Sequence, residues 1–311
     1  MGASCIMISI VIPVYNNVKT LKELTERIVN TLNKTPFEII YINDGSTDGS
    51  LNLLKKLSKE YGQIKIISFS RNFGQHPAIS AGFEHALGDK IILMDADLQD
   101  RPENIPLLLG KLRSNIDIVY TIRRDSNISF IRNITSNFFH SFVAKQVGVK
   151  IPKNIGTFRL FTRKVLDALL KYKEVKILYG PLMYNIGFNS FYVEVERDER
   201  PSEKSSYSFL KRLELGLNTV VTYTDLPYRI FSYIGIFLLF GSIFYTLTVM
   251  LQYLFWGRML PSGMAIIIVM LSFMIGSIIF CMGILGIYLF RTFQEVLHRP
   301  RYLIDEIIDN R

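Results

Sequence analysis

Ile91-Ile92-Leu93-Met94-Asp95-Ala96-Asp97-Leu98-Gln99-Asp100 is the stretch on which the fold turns. Its aliphatic half is the continuous apolar run expected of a strand buried on both faces. Two carboxylates one residue apart stand at the strand's end, and the residues from Gln99 to Pro102 mark a turn. One reading is a divalent cation bound by carboxylate oxygens and shared with a substrate's phosphates, the usual way Mg2+ is held. The other is a solvated turn, because Asp is common where strands end.

Working outward, apolar runs at 8–13, 37–42, 64–68 and 117–121 read as further buried strands. Between them lie helical spacings: Leu21, Leu24, Ile28 and Leu32, then Leu51, Leu54, Leu57 and Tyr61 with Asp48 as expected N-cap. A third helix follows Ser70-Arg71-Asn72-Phe73-Gly74-Gln75 and runs to Ala86. Shorter segments follow, a helix over 163–170 and a strand over 191–196. Strands alternating with helices predict an α/β domain with a mostly parallel sheet and helices on both faces. Ligands of such sheets bind beyond the carboxyl ends of the strands. The polar turns at 13–16, 43–48, 70–75 and 95–100 all belong to that edge. No G-x-G-x-x-G follows the first strand, and there is no Walker A motif, G-x-S-x-G elbow, H-E-x-x-H pair or zinc-spaced Cys/His set. His76 reads as a turn residue rather than a catalyst.

The 311 residues carry 49% hydrophobic side chains, with a mean hydropathy of +0.23. The excess is concentrated in two uncharged runs, about 230–256 and 264–290. Each exceeds the roughly 20 residues that cross a bilayer core, so a two-helix transmembrane hairpin is expected. The formal net charge of +9 is placed for a membrane rather than nucleic acid. Lys204, Lys211, Arg212 and Arg229 precede the hairpin, Arg291, Arg299 and Arg301 follow it, and the connection offers only Arg258. The positive-inside rule then puts both termini and the larger domain in the cytoplasm. Cys5 and Cys281 build no disulfide framework, which fits a reducing compartment, and no signal peptide is expected before the first strand. The expected organisation is a domain over 1–203, an interfacial amphipathic helix within 204–229, the hairpin over 230–290 and a cytoplasmic tail over 291–311. A further helical stretch over 130–147 spaces Phe130, Ile134, Phe138 and Phe142 on one face, with Arg132 and Ser136 on another. It reads either as a membrane-surface helix offering Arg132 and Ser136 to an anion, or as an ordinary packing helix with a solvated Arg.

Four motifs taken together resemble a known family. Val11-Ile12-Pro13-Val14-Tyr15-Asn16, Asn43-Asp44-Gly45-Ser46-Thr47-Asp48, Ser70-Arg71-Asn72-Phe73-Gly74-Gln75 and Asp95-Ala96-Asp97-Leu98-Gln99-Asp100 look like the successive motifs of family 2 glycosyltransferases. More narrowly they resemble the bacterial polyprenyl-phosphate glycosyltransferases, relatives of dolichyl-phosphate mannose synthase whose chains end in two spans. The resemblance implies a GT-A (Rossmann-like) fold and inverting transfer of a sugar from a nucleotide sugar, UDP-linked by expectation, to undecaprenyl phosphate. It implies a bacterial inner-membrane location and a homotetramer. Pro13, Tyr15, Asp44, Gly45 and Asn72 would then line the donor site, with Asp44 on the uracil or ribose. Asp95 and Asp97 would hold Mg2+ or Mn2+ on the donor diphosphate, with Gln99 close to the sugar and Asp100 outside the set. Arg123, Arg132 and Ser136 match the positions that hold the acceptor phosphate.

One position departs from the pattern. Thr157 stands where some relatives carry an Asp considered a candidate base. The loss is tolerable, because a phosphate monoester has a second pKa near 6 and is already largely a dianionic nucleophile at cytoplasmic pH. Two alternatives stay open. A processive polysaccharide synthase would share the early motifs, but Gln-x-x-Arg-Trp is lacking and the only tryptophan, Trp256, ends a span. A lipid-binding scaffold would account for the hairpin and leave the acidic rim without a purpose.

Overall fold

The computed structural model describes residues 6–123, 155–174, 177–196, 263–297 and 299–310, with isolated positions at 244, 248, 251, 254 and 255. Two compact units result, residues 1–205 with 299–311, and residues 206–298.

In the first unit the chain runs β1 (Ile8–Val14), α1 (Val18–Thr31), β2 (Phe37–Asn43), α2 (Ser50–Glu60), β3 (Ile64–Phe69), α3 (Gln75–His85) and β4 (Lys90–Leu93). After a 3-10 turn come α4 (Ile105–Lys111), β5 (Ile118–Arg123), β6 (Ile155–Thr162), α5 (Arg163–Leu169), α6 (Tyr179–Asn185) and β7 (Ser190–Val195), and β8 (Ile304–Asp309) closes the unit. Among the described residues these strands form one eight-stranded sheet in the order β7-β5-β6-β4-β1-β2-β3-β8. β1 pairs in parallel with β2 and β4, and β2 with β3, as the alternating pattern predicts.

Side chains alternate across the sheet with the two-residue period of strands. Ile8, Ile10 and Ile12 of β1, with Ile39 and Tyr41 of β2, pack under α1, α2 and α4. Val11, Ile40, Ile42, Ile91 and Leu93 pack on the other face under α3, α5 and α6. All of these strand side chains are essentially inaccessible. Burial on both faces is why the strands read as unbroken apolar runs.

Three elements differ from the sequence reading. Asn154 to Leu160 carries no strong strand pattern, yet Ile155–Thr162 forms β6, antiparallel to both β4 and β5. β6 takes the place between them that a further parallel strand would occupy, so its first residues arrive at the carboxyl edge of the sheet. The second difference is the expected tail over 291–311. Its last part, Ile304–Asp309, is an edge strand antiparallel to β3, with Lys65 paired to Asp309 at 3.5 Å. Ile304, Ile307 and Ile308 do not follow the two-residue period of a strand and stand among acidic residues, so they do not announce one. Third, Asp48 is not the N-cap of α2; Gly49, in the left-handed region, takes that place.

In the second unit α7 (Gly263–Val296) is a single helix, and it includes the second expected span. It is uncharged from Gly263 to Phe290, and 34 residues rise about 51 Å. Ile267, Met274, Ile278, Leu285 and Leu289 are all exposed along it. Among residues whose side chains are described, no helix is long and apolar enough to cross a membrane. Of the first expected span only Phe244, Thr248, Leu251, Leu254 and Phe255 are described, each of them helical; the helices expected over 130–147 and 204–229 lie outside the described residues.

Candidate active site

The carboxyl ends of β1, β2, β3 and β4 share one edge, because these strands run in parallel. The loops that leave them are stitched to each other by side chains. After β1, Asn16 adopts φ 55°, a left-handed conformation that Asn tolerates better than most residues. Its backbone N–H donates to Ser46 Oγ at 3.1 Å, and its Oδ1 accepts from Thr47 N at 2.9 Å. Asp48 adds a second stitch: Oδ2 accepts from Val18 N, the first residue of α1, at 3.0 Å. Its Oδ1 accepts from Ser50 Oγ at 2.6 Å. Burial alone would raise the Asp48 carboxyl, but these donors outweigh it and hold its pKa below the usual range. The Asp thus serves the starts of two helices, because its Oδ1 also accepts from Ser50 N, the first residue of α2, at 3.0 Å.

The loops after β2 and β3 are joined by Asp44. This side chain is 3% exposed; its Oδ1 accepts from Phe73 N at 2.7 Å and its Oδ2 from Gly74 N at 2.9 Å. Burial pushes its pKa up, and the two backbone donors oppose that rise. Gly45 makes the approach possible. It sits at φ +63°, and a Cβ there would lie 2.5 Å from the backbone carbon of Arg71. Asp44 therefore has a positioning task that its expected role on the nucleotide did not include.

The loop after β4 is held from both sides. Gln75 Nε2 donates to Asp95 Oδ1 at 2.9 Å, and Thr20 Oγ1 of α1 donates to Ala96 O at 2.6 Å. Asp97 Oδ1 accepts from Gln99 N at 3.2 Å, spanning Leu98, whose φ is 60°. A left-handed non-glycine residue costs on the order of 1–3 kcal/mol and persists only where its surroundings impose it. Asp95, Asp97 and Gln99 are half-buried and Asp100 is buried.

The expected donor residues lie at this edge: Pro13 within β1, half-buried; Tyr15, 50% exposed; and Asn72, exposed in the loop after β3. β5 runs parallel to β4, since both are antiparallel to β6, so Arg123, its last residue, ends at the same edge. Thr157 arrives there near the start of β6, and its carbonyl accepts from Arg159 Nε at 2.9 Å. Arg132 and Ser136 lie outside the described residues. His76 is not a turn residue: it belongs to the first turn of α3, and its Nδ1 is buried without a hydrogen-bond partner. Sequence reasoning missed Thr20 and the contact of Gln75 with Asp95. Gln75 stood in a quoted motif, but nothing in its spacing pointed to Asp95.

Among the described residues no cluster of three His, Cys, Asp or Glu side chains could hold a metal alone. Two carboxylates with hard oxygen donors do suit Mg2+ or Mn2+, cations that complete their coordination with water and substrate phosphates. The donor set therefore fits a metal that arrives with a substrate.

Comparison with known proteins agrees with this geometry. The family model described as "Glycosyl transferase family 2" matches residues 9–170. The chain is 33% identical over 304 residues to the Bacillus subtilis (strain 168) "Uncharacterized glycosyltransferase YkcC", covering 97% of this chain and 94% of that protein. It is 32% identical over 305 residues to the undecaprenyl-phosphate 4-deoxy-4-formamido-L-arabinose transferase of Proteus mirabilis (strain HI4320), covering 97% of this chain and 94% of that one. Among solved structures it is similar to Mycobacterium tuberculosis glucosyl-3-phosphoglycerate synthase in complex with Mn2+, UDP and phosphoglyceric acid. The TM-score is 0.50 at 16% identity, with 70% of this chain and 77% of that one covered. That likeness is one of fold, and the fold is the expected GT-A arrangement.

Proposed function

The chain belongs to glycosyl transferase family 2, and from that premise we propose that it transfers a sugar from a nucleotide sugar to a membrane polyprenyl phosphate. The observation that carries the acceptor class is the whole-chain similarity to the Proteus mirabilis undecaprenyl-phosphate transferase. It extends past the catalytic motifs through the apolar C-terminal third. The uncharged length of α7 and its exposed apolar side chains support a membrane-spanning hairpin, and the basic residues flanking the two apolar runs support cytoplasmic termini in a bacterial inner membrane. The two-span resemblance supports a homotetramer.

In this reading a phosphate oxygen of the lipid attacks the anomeric carbon. A C–O bond to the acceptor phosphate forms as the C–O bond to the donor diphosphate breaks, the configuration inverts, and the nucleoside diphosphate leaves with the bonding electron pair. The acceptor needs no side-chain base, since its second ionisation lies near pH 6. The site's task is to bring two anions together and to accommodate charge on the departing group. Arg123, Arg132 and Ser136 would bind and orient the acceptor phosphate through charge-assisted hydrogen bonds. Asp95 and Asp97 would hold Mg2+ or Mn2+, which, when bound, supplies Lewis-acid stabilisation of the leaving diphosphate. Pro13, Tyr15, Asp44, Gly45 and Asn72 would line the nucleotide side, and Gln99 would face the sugar.

The test is a release assay on membranes containing the full chain, given a panel of labelled UDP-sugars, undecaprenyl phosphate, and either Mg2+ or chelator. Metal-dependent label in a single-sugar lipid is the expected result. A long polymer would replace this reading with a processive synthase, and no turnover with any donor would favour a lipid-binding scaffold. Within the same assay, Arg132→Ala should raise the acceptor KM or lower kcat much more than it weakens donor binding; an unchanged acceptor dependence returns Arg132 to a solvated face.

A further inference from the structure

The residues after α7 rejoin the sheet beside the loop that follows β3. Ile304 of β8 stands opposite Phe69, the last residue of β3, and Ser70 N donates to Leu303 O at 3.1 Å. Just before β8, the Tyr302 ring stacks on Phe69 with centroids 4.9 Å apart and planes at 13°. Phe69 in turn meets Phe73 edge to face at 5.7 Å, and the Arg71 guanidinium carbon lies 4.2 Å from the centre of the Phe73 ring. The Tyr302 hydroxyl donates to Glu84, on the helix that Gln75 opens.

Phe73 is therefore held twice, by its N–H on Asp44 and by its ring through Phe69 on Tyr302. Two residues later Gln75 reaches Asp95. The edge strand itself does not require this arrangement. β8 is anchored just past its other end by Asn310, whose Nδ2 donates to Ser58 O at 3.1 Å, and midway by the Lys55–Glu306 ion pair.

We propose that Tyr302 is a positioning residue for the donor side of the site: its ring fixes Phe69 and Phe73, so that the loop 70–75 stands in its binding conformation before the donor arrives. The proposal rests on the glycosyltransferase reading above. A loop ordered in advance loses less conformational freedom when ligand binds, and that saving appears as affinity. The stretch that follows the long apolar helix thus serves the reaction as well as the edge of the sheet.

The test uses the full chain in membranes with Tyr302→Ala, Tyr302→Phe and, at the far end of β8, Asn310→Ala. Tyr302→Ala should raise the donor KM about tenfold, the scale of one lost aromatic pair, while kcat and the acceptor KM stay within about twofold. Tyr302→Phe, which keeps the ring, should restore most of the donor affinity, and Asn310→Ala should stay near wild type. An unchanged donor KM in Tyr302→Ala overturns the proposal. So does an equal rise for both substrates, or the same effect from Asn310→Ala. Hydrogen exchange read at the Phe73 and Gly74 amides gives a measure without turnover: it should quicken in Tyr302→Ala and not in Asn310→Ala, and unchanged exchange also overturns the proposal. If the wild type transfers no sugar, the functional reading fails while the exchange experiment still decides the positioning role. Should Tyr302→Ala not fold, Tyr302→Leu keeps the bulk without the ring face and carries the same test.

Discussion

Gln75 Nε2 donates to Asp95 Oδ1 at 2.9 Å, so a residue of the loop after β3 orients a carboxylate of the loop after β4. Partners of this kind fix the direction of a ligand's lone pairs, and losing one typically costs 10–100-fold in metal affinity. Gln75→Ala is expected to weaken Mn2+ binding about tenfold in the presence of UDP, read by titration of the free-Mn2+ paramagnetic signal, with the fold intact. Wild-type affinity in that variant would mean the hydrogen bond has no bearing on the metal.

Gly45 is the position where the backbone itself is constrained. Its φ of +63° costs an L residue about 1–2 kcal/mol, and a Cβ would lie 2.5 Å from backbone atoms of Arg71 and Asn72. Those atoms cannot rotate away as a side chain could. Gly45→Ala should therefore lower the melting temperature by several degrees and weaken donor binding by more than tenfold, because the loop 70–75 must retreat from Asp44. A variant with unchanged donor affinity would show that this loop is not part of the donor site.

The sheet was legible because strands buried on both faces leave unbroken apolar runs, as in Ile91-Ile92-Leu93-Met94. The rim was legible because polar turns follow those runs directly. Side chains that reach across to another loop leave no trace in spacing. Asp48 looks like the cap of the helix that follows it, and only the fold brings Val18 N to its carboxylate. β6 and β8 escaped notice for a different reason: their partners lie far away in sequence, and strand formation depends on that context more than on local propensity. Tyr302 was accordingly read as part of a tail, although it stacks on the residue that ends β3.

Asp97 and Asp95 make separable demands. Asp97 Oδ1 also accepts from Gln99 N, a bond the amide oxygen of Asn can replace. Asp97→Asn should therefore preserve the turn and expression while removing the charge that would hold the metal. Turnover in the release assay is expected to fall by about a thousandfold or more, in line with losses of electrostatic stabilisation at the leaving group. Near-normal turnover would take the Asp-x-Asp pair out of the mechanism.

His76 gives the fold an acid-sensitive point. Burial, and then the Arg159 charge, lower its pKa from 6.5 to about 4, and its buried Nδ1 has no partner to reward protonation. Above pH 6.5 the ring is neutral whether the chain is folded or not, so it adds no pH dependence. As pH falls from 6.5 towards 4, the unfolded chain binds a proton that the folded chain refuses, and stability is lost. Below about pH 4 both forms are protonated and the loss levels off. A shift of this size corresponds to at most about 3 kcal/mol. Between pH 6.5 and 5, above the range where most carboxylates titrate, the wild-type melting temperature should fall with acid. His76→Leu, which cannot take up the proton, should give a flatter curve over the same interval. Parallel curves for the two proteins would show that His76 is already solvated in the folded state.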